Sequence, residues 1–312
     1  MKILLVSDAF LPSFGGVERH VYTLAKYLAN KGNEVTILTE KSKYDDIKLE
    51  LNGIEVRRNI NLLHRKSALQ WVYQYLQNSY RIKEAINENS QKFDLVHYHG
   101  THTLYFDKIG IKSPLLATIH GIFPACISFW GINEWCENKP SAINCANCMV
   151  KIRKYYAPFY PGMVLYNKYY LNRMKNSLGS IDKIISVSNY VKDIVQNSLD
   201  LDNIITIYNF INKNEIINEI KSIEIEPEIN NNIRNVMYSG RLHNQKGIQV
   251  LLKSFIELQN EVNDVHLIIT GKGELEELVI SESKERVVPV DIASLLKRYQ
   301  RRGTTNLLAT RT

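Results

Sequence analysis

The chain has 312 residues, 45% of them hydrophobic and 23% charged, with 39 Lys and Arg against 32 Asp and Glu for a formal net charge of +7. That is ordinary globular composition, so a disordered chain, a collagen and a coiled coil are excluded, and the length suits two modest domains better than one core. The sequence holds no run of about 18 apolar residues, the length a spanning helix needs.

Short apolar runs alternate with helical periodicity along most of the chain. Ile3–Ser7 reads as a strand rather than the core of a signal peptide, because its apolar run is short and Asp8 and a Gly-Gly loop follow. A cytoplasmic protein is expected. Val17, Val21, Leu24, Ala25 and Leu28 recur at helix spacing, and Gly32 stops that helix. Further strands are expected at Glu34–Thr39, Ile54–Arg58, Asp94–His99, Leu115–His120, Lys183–Ser188 and Ile204–Tyr208, with a helix marked by Leu69, Val72, Tyr73 and Leu76. Short Val- and Ile-rich strands separated by helices imply a buried parallel sheet, hence a doubly wound α/β domain over residues 1–212. Residues 213–235, crowded with Asn, Glu and Ile, read as a linker. The pattern then restarts over 236–312. Val236–Gly240 and Val265–Thr270 are strands, Gly247–Leu258 and Glu274–Ser281 helices, and Val287–Val290 with Asp291–Tyr299 the next pair.

In open α/β sheets ligands sit beyond the carboxyl ends of the strands, beside helix N-termini. After the first strand come Gly15, Gly16 and Glu18; two glycines entering a helix allow close backbone approach, although a ligand-free tight turn has the same signature. They do not form a G-x-G-x-x-G fingerprint, so NAD is discounted. His120 at a strand tip can move a proton near neutral pH or simply hold a turn. His97, His99 and His102 cluster around Gly100, with 97 and 99 on one strand face, but no carboxylate stands at ligand spacing beside them. The sharpest signal is Gly240-Arg241 followed by Lys246-Gly247. Two cations beside the positive end of the next helix suit a diphosphate, Arg gripping bidentately and Lys adding a point charge. Gly271-Lys272-Gly273-Glu274 makes a second glycine turn on the same sheet edge.

These segments, together with Ser186-Val187-Ser188 and Tyr208-Asn209-Phe210-Ile211-Asn212, resemble glycosyltransferase family 4, whose members have the two-domain GT-B fold. The resemblance runs over roughly residues 1–279. It implies a retaining enzyme that moves a hexose from a UDP- or GDP-sugar, bound between the domains, to a glycan or lipid-linked acceptor without a catalytic metal. It implies that Arg241 and Lys246 neutralise the donor diphosphate. Gly15 and Gly16 then admit the sugar-phosphate, His120 orients sugar hydroxyls, and Gly273 lines the nucleobase side. Glu18 falls in the acceptor-side helix, and Asn209 and Gly240 join the substrate contacts. The family's second domain continues through a paired-glutamate motif. This chain reaches Thr312 without a glutamate after Glu285, so the second domain is expected to be incomplete. The competing expectation is a catalytically incompetent homologue that binds an acceptor or a membrane.

Four cysteines, Cys126, Cys136, Cys145 and Cys148, lie within 23 residues. A C-x2-C with two nearby thiols can supply a structural zinc site, while free thiols, disulfides or an iron–sulfur cluster stay open. From Asn138 to Ile181 there is no acidic residue, but seven Lys and Arg and many tyrosines. Arg57–Lys83 is similarly basic and aromatic. Such segments suit an anionic membrane surface, with a peripheral inner-face location, or a solvated helix face with its aromatics in the core. No RRM, KH or helix-turn-helix signature accompanies them, so nucleic acid is not expected.

Overall fold

Residues 3 to 6 are buried on both faces of the first strand. In a strand successive side chains point to opposite sides, so such a segment must lie between two layers of helices. The computed structural model describes residues 1–12, 15–41, 53–64, 71–126, 140–152, 154–213, 216–218, 234–262, 264–282 and 287–290. The chain divides into two units, Met1–Glu215 and Ile216–Thr312. Cys136, Leu69, most of the linker and Asp291–Tyr299 lie outside the described residues.

The first unit is built on β1 (Lys2–Ser7), β2 (Glu34–Glu40), β3 (Glu55–Ile60), β4 (Leu95–His99), β5 (Leu115–Ile119), β6 (Lys183–Ser186) and β7 (Ile204–Thr206). They form one parallel sheet in the order β3-β2-β1-β4-β5-β6-β7. Its helices are α1 (Gly16–Asn30), α2 (Trp71–Asn89), α3 (Ala142–Ile152), α4 (Tyr160–Gly179) and α5 (Asn189–Leu199). Ile3 and Leu5 pack with Val35, Ile37, Val21 and Ala25 on the α1 face. Leu4, Val6 and Leu38 face the larger core of α2, α4 and α5. The doubly wound expectation therefore holds for this unit.

Strand β6 ends at Ser186, two residues short of the sequence reading, because the chain turns there to start α5. Ser188 is the N-cap, its hydroxyl accepting from Val191 N at 3.2 Å. Helices α3 and α4 are absent from the sequence reading, which saw only a basic aromatic stretch. The buried face of α4 is Met163, Asn167, Tyr170, Met174, Ser177 and Leu178. That is helical spacing, obscured by two polar residues. Those residues have work to do: Ser177 Oγ accepts from Phe106 N at 2.7 Å and donates to Thr103 O. Arg173 adds a bidentate pair with Asp107 at 2.7 and 2.6 Å, so α4 fixes the loop that follows β4.

In the second unit β8 (Arg234–Ser239), β9 (Val265–Thr270) and β10 (Val287–Val290) form a parallel sheet in the order β10-β9-β8. Helices α6 (Ile248–Glu261) and α7 (Glu276–Glu282) connect them. Leu242, Ile248, Leu252, Phe255, Leu267, Ile269 and Val279 fill its core.

Candidate functional site

In the first unit the strand order reverses between β1 and β4, the place where open α/β sheets leave a crevice. Gly15, the N-cap of α1, leads into that crevice. The Glu18 carboxylate folds back against Gly15, where a Cβ would collide with it, while a Cβ on Gly16 would meet nothing within 4 Å. Glu18 thus sits at the positive end of its own helix, a favourable place for a carboxylate, and Gly16 is the open approach.

One turn beyond Gly16, His20 reaches a group the sequence reading did not assemble. Its ring lies 5.3 Å from His99, 4.9 Å from His120 and 4.9 Å from Phe210, centroid to centroid. His99 Nδ1 and His120 Nε2 are 3.4 Å apart, and the side chain of Asn209 hydrogen-bonds His20. So His120 and Asn209 are brought together through His20. Burial pushes the His20 pKa down, with the Asn209 bond opposing it. Burial and the His20 charge hold His120 at about 4. Burial, aided by the neighbouring histidines, holds His97 at about 3 and His99 well below the ordinary value. His97, His99 and His120 are neutral at pH 7.

The histidine cluster expected around Gly100 is split by the turn, which takes His102 away from His97 and His99. His97 Nε2 bonds Thr118 Oγ1 at 2.8 Å inside the sheet. His102 turns the other way, to Asp8 Oδ2 at 2.9 Å. Asp8 also accepts from Tyr98 OH at 2.5 Å and from Thr101 N and Oγ1 at 2.7 and 3.1 Å. Burial raises its pKa, but the His102 charge and the donors His102, Tyr98 and Thr101 outweigh it and hold the carboxyl below the usual range.

Cys126 and Cys148 are buried and Cys145 is half-buried; Cys145 packs against the large core.

In the second unit the two glycine turns interlock. Gly240 N donates to Thr270 O at 3.0 Å and Leu242 N to Lys272 O at 2.9 Å. Gly271 has φ +140°, and a Cβ there would strike the Gly240 carbonyl; one on Gly273 would strike that of Leu242. Only glycine permits this approach. The turn presents Arg241 and Lys246 as exposed side chains, neither ion-paired to a described residue. Gly247, in the left-handed region at φ 70°, opens α6 with no side-chain cap. Two exposed cations thus flank in sequence a helix start whose first N–H groups have no side-chain cap, and such groups can bind an anion. His243 and Asn244 contact Glu274 at 3.5 and 3.2 Å, closing the turn.

A family model described as Glycosyltransferase Family 4 matches residues 14–215, and one described as Glycosyl transferases group 1 matches residues 233–301. The chain is 24% identical over 291 residues to an uncharacterized glycosyltransferase of Methanocaldococcus jannaschii, covering 88% of this chain and 64% of that protein. It thus spans less than two thirds of that relative. Among solved structures, a trehalose-6-phosphate synthase superposes with a TM-score of 0.64 at 12% identity, over 93% of this chain and 74% of the other. The catalytic domain of starch synthase IV from Arabidopsis thaliana, bound to ADP and acarbose, gives 0.56 at 14% identity, over 92% and 73%. At such identities the likeness is one of fold.

Proposed function

The chain belongs to glycosyltransferase family 4 and has the GT-B type of fold, and from that premise we propose that it transfers a hexose from a UDP- or GDP-sugar to a glycan or lipid-linked acceptor with retention of configuration. The observation that carries this reading is the second unit's turn. Arg241 and Lys246 lie exposed beside the uncapped start of α6. There they would bind the donor diphosphate and stabilise the nucleotide anion as it departs, without a catalytic metal. Gly273 would border the base. In the first unit Gly15 and Gly16 would admit the sugar-phosphate, with His120, Asn209 and Glu18 orienting hydroxyls of sugar and acceptor. The test is a thermal-shift screen of the purified chain against UDP, GDP and ADP, followed by hydrolysis of the matching nucleotide-sugar. Stabilisation by UDP or GDP, and turnover, support the reading; indifference to all three would end it.

A second feature bears on the acceptor. Lys151, Lys154, Tyr155, Phe159, Leu165, Lys168 and Tyr169 are all exposed, Leu165 at 71%. Among the described residues no helix is long and apolar enough to cross a membrane. Aromatics interleaved with lysines fit the headgroup zone of an anionic bilayer, and we read this face as bringing the first unit to a lipid-linked acceptor. A homologue that binds acceptor or membrane without catalysing would show the same face, but no donor turnover.

A further inference from the structure

His20, His99 and His120 come from three elements, α1, the end of β4 and the turn after β5. One ring nitrogen from each lies within 4.8 Å of the other two. His99 Nδ1 and His120 Nε2, at 3.4 Å, already have the separation of two nitrogens on one tetrahedral ion, roughly 3.3 Å for a Zn–N bond of about 2.0–2.1 Å. His20 Nδ1 is buried and has no hydrogen-bond partner, and His99 is fully buried. Folded chains leave few such atoms alone, and each one asks what it binds. Because His20 Nδ1 has no partner, the bond to Asn209 falls to Nε2. With Nε2–H donating to Asn209, which favours the protonated ring, Nδ1 carries the lone pair, as outer-sphere partners arrange for metal-ligating histidines. The donor set is entirely imidazole. It suits zinc, cobalt, nickel or copper, and not magnesium or calcium, which need oxygen ligands.

We propose that His20, His99 and His120 bind one divalent transition-metal ion of the zinc class, clipping α1 to the ends of β4 and β5. The group includes none of the described cysteines, and it stands on geometry; an ion bound there would occupy His120, to which the transferase reading gives a sugar hydroxyl, so the two roles compete for that residue.

The test uses the purified full chain stripped with a chelator and titrated with Co2+, read by visible absorption, with Zn2+ added in parallel thermal melts. The expected result is one equivalent of Co2+ with ligand-field bands, no thiolate-to-cobalt charge-transfer band, and a higher melting temperature with Zn2+. His20→Ala, on a half-buried helix position, and separately His120→Ala should each weaken binding roughly tenfold or more. Cys145→Ser with Cys148→Ser should leave it unchanged. Absence of stoichiometric binding would overturn the proposal. So would a charge-transfer band that disappears with the cysteines, or undiminished affinity in both folded histidine variants. Circular dichroism establishes that the variants fold.

Discussion

Asp8 at the tip of β1 accepts a hydrogen bond from His102 Nδ1 at 2.9 Å, joining residues 94 apart in sequence. With Tyr98 OH and two Thr101 donors on the same carboxylate, it pins the loop after β4 to the first strand. Replacing one partner of such a network leaves the others buried and unsatisfied, at about 1–3 kcal/mol. Asp8→Asn should therefore lower the stability of the first unit by about that amount, and Asp8→Ala by more. Urea unfolding followed by tryptophan fluorescence reads this unit selectively, since Trp71, Trp130 and Trp135 all precede residue 216.

Arg241 and Lys246 are exposed, so neither holds the fold, and their cost on removal should be within about 0.5 kcal/mol of stability. Binding is another matter. A charge-assisted hydrogen bond contributes about 1.5–3 kcal/mol, so Arg241→Ala or Lys246→Ala should weaken the preferred nucleoside diphosphate about 10- to 100-fold by calorimetric titration. In the proposed site both would touch one pyrophosphate, so the double variant should lose less than the sum. Equal affinity in wild type and double variant would remove the proposed donor site.

Much of this is legible in the sequence. Alternating Val/Ile runs mark the strands; Gly15-Gly16 falls where the loop after β1 enters α1, and Gly240-Arg241 follows the end of β8. The histidine triad was not legible, because its members lie on different elements. Only the order β2-β1-β4-β5 brings the start of α1 over the ends of β4 and β5. Period-two reasoning placed His97 and His99 on one strand face, and they do stack, with ring centroids 4.1 Å apart. It could not show that His102, three residues further on, turns away to Asp8. Helix α4 escapes because Asn167 and Ser177 occupy buried positions that a hydrophobic pattern leaves blank.

Acid should destabilise the first unit earlier than carboxylate titration alone would. His97 and His120 titrate at about 3 and 4 when folded, but near 6.5 when unfolded. Below 6.5 the unfolded chain binds more protons. The stability these groups contribute is therefore complete above 6.5 and is lost as pH falls toward the folded values. Each adds a slope of up to about 1.4 kcal/mol per pH unit in that window. Urea midpoints at pH 7.5, 6 and 5, in chelator so that metal loss plays no part, should fall steadily; a flat profile would show that these rings are not held neutral.

The exposed face of α3, α4 and the turn between them separates a membrane role from a solvated surface. Phe159 and Leu165 are 59% and 71% exposed, so Phe159→Ser with Leu165→Ser should cost little stability. If the face enters a bilayer, the double variant should lose sedimentation with anionic vesicles, because each apolar side chain contributes about 1.5–3 kcal/mol when buried. Raising salt should act on the wild type too, by screening Lys151, Lys154 and Lys168. Neutral vesicles should bind weakly throughout. Equal sedimentation with neutral and anionic vesicles would remove the lysines from the explanation, and an unchanged double variant would remove the aromatic face.

Gly16 and Gly271 test the same residue type for opposite reasons. At Gly271, φ +140° and the Gly240 carbonyl leave no room for a side chain, so Gly271→Ala should destabilise the second unit by about 1–3 kcal/mol or more. At Gly16, the first residue of α1, nothing stands within 4 Å of an added methyl. Alanine is the better helix former by about 0.4–1 kcal/mol, so Gly16→Ala should leave the melting temperature unchanged or slightly raised. What it should impair is the approach of the donor's sugar-phosphate, seen as loss of nucleotide-sugar turnover with nucleoside-diphosphate binding intact. Full turnover in Gly16→Ala would show that the open glycine serves the helix start and not the substrate.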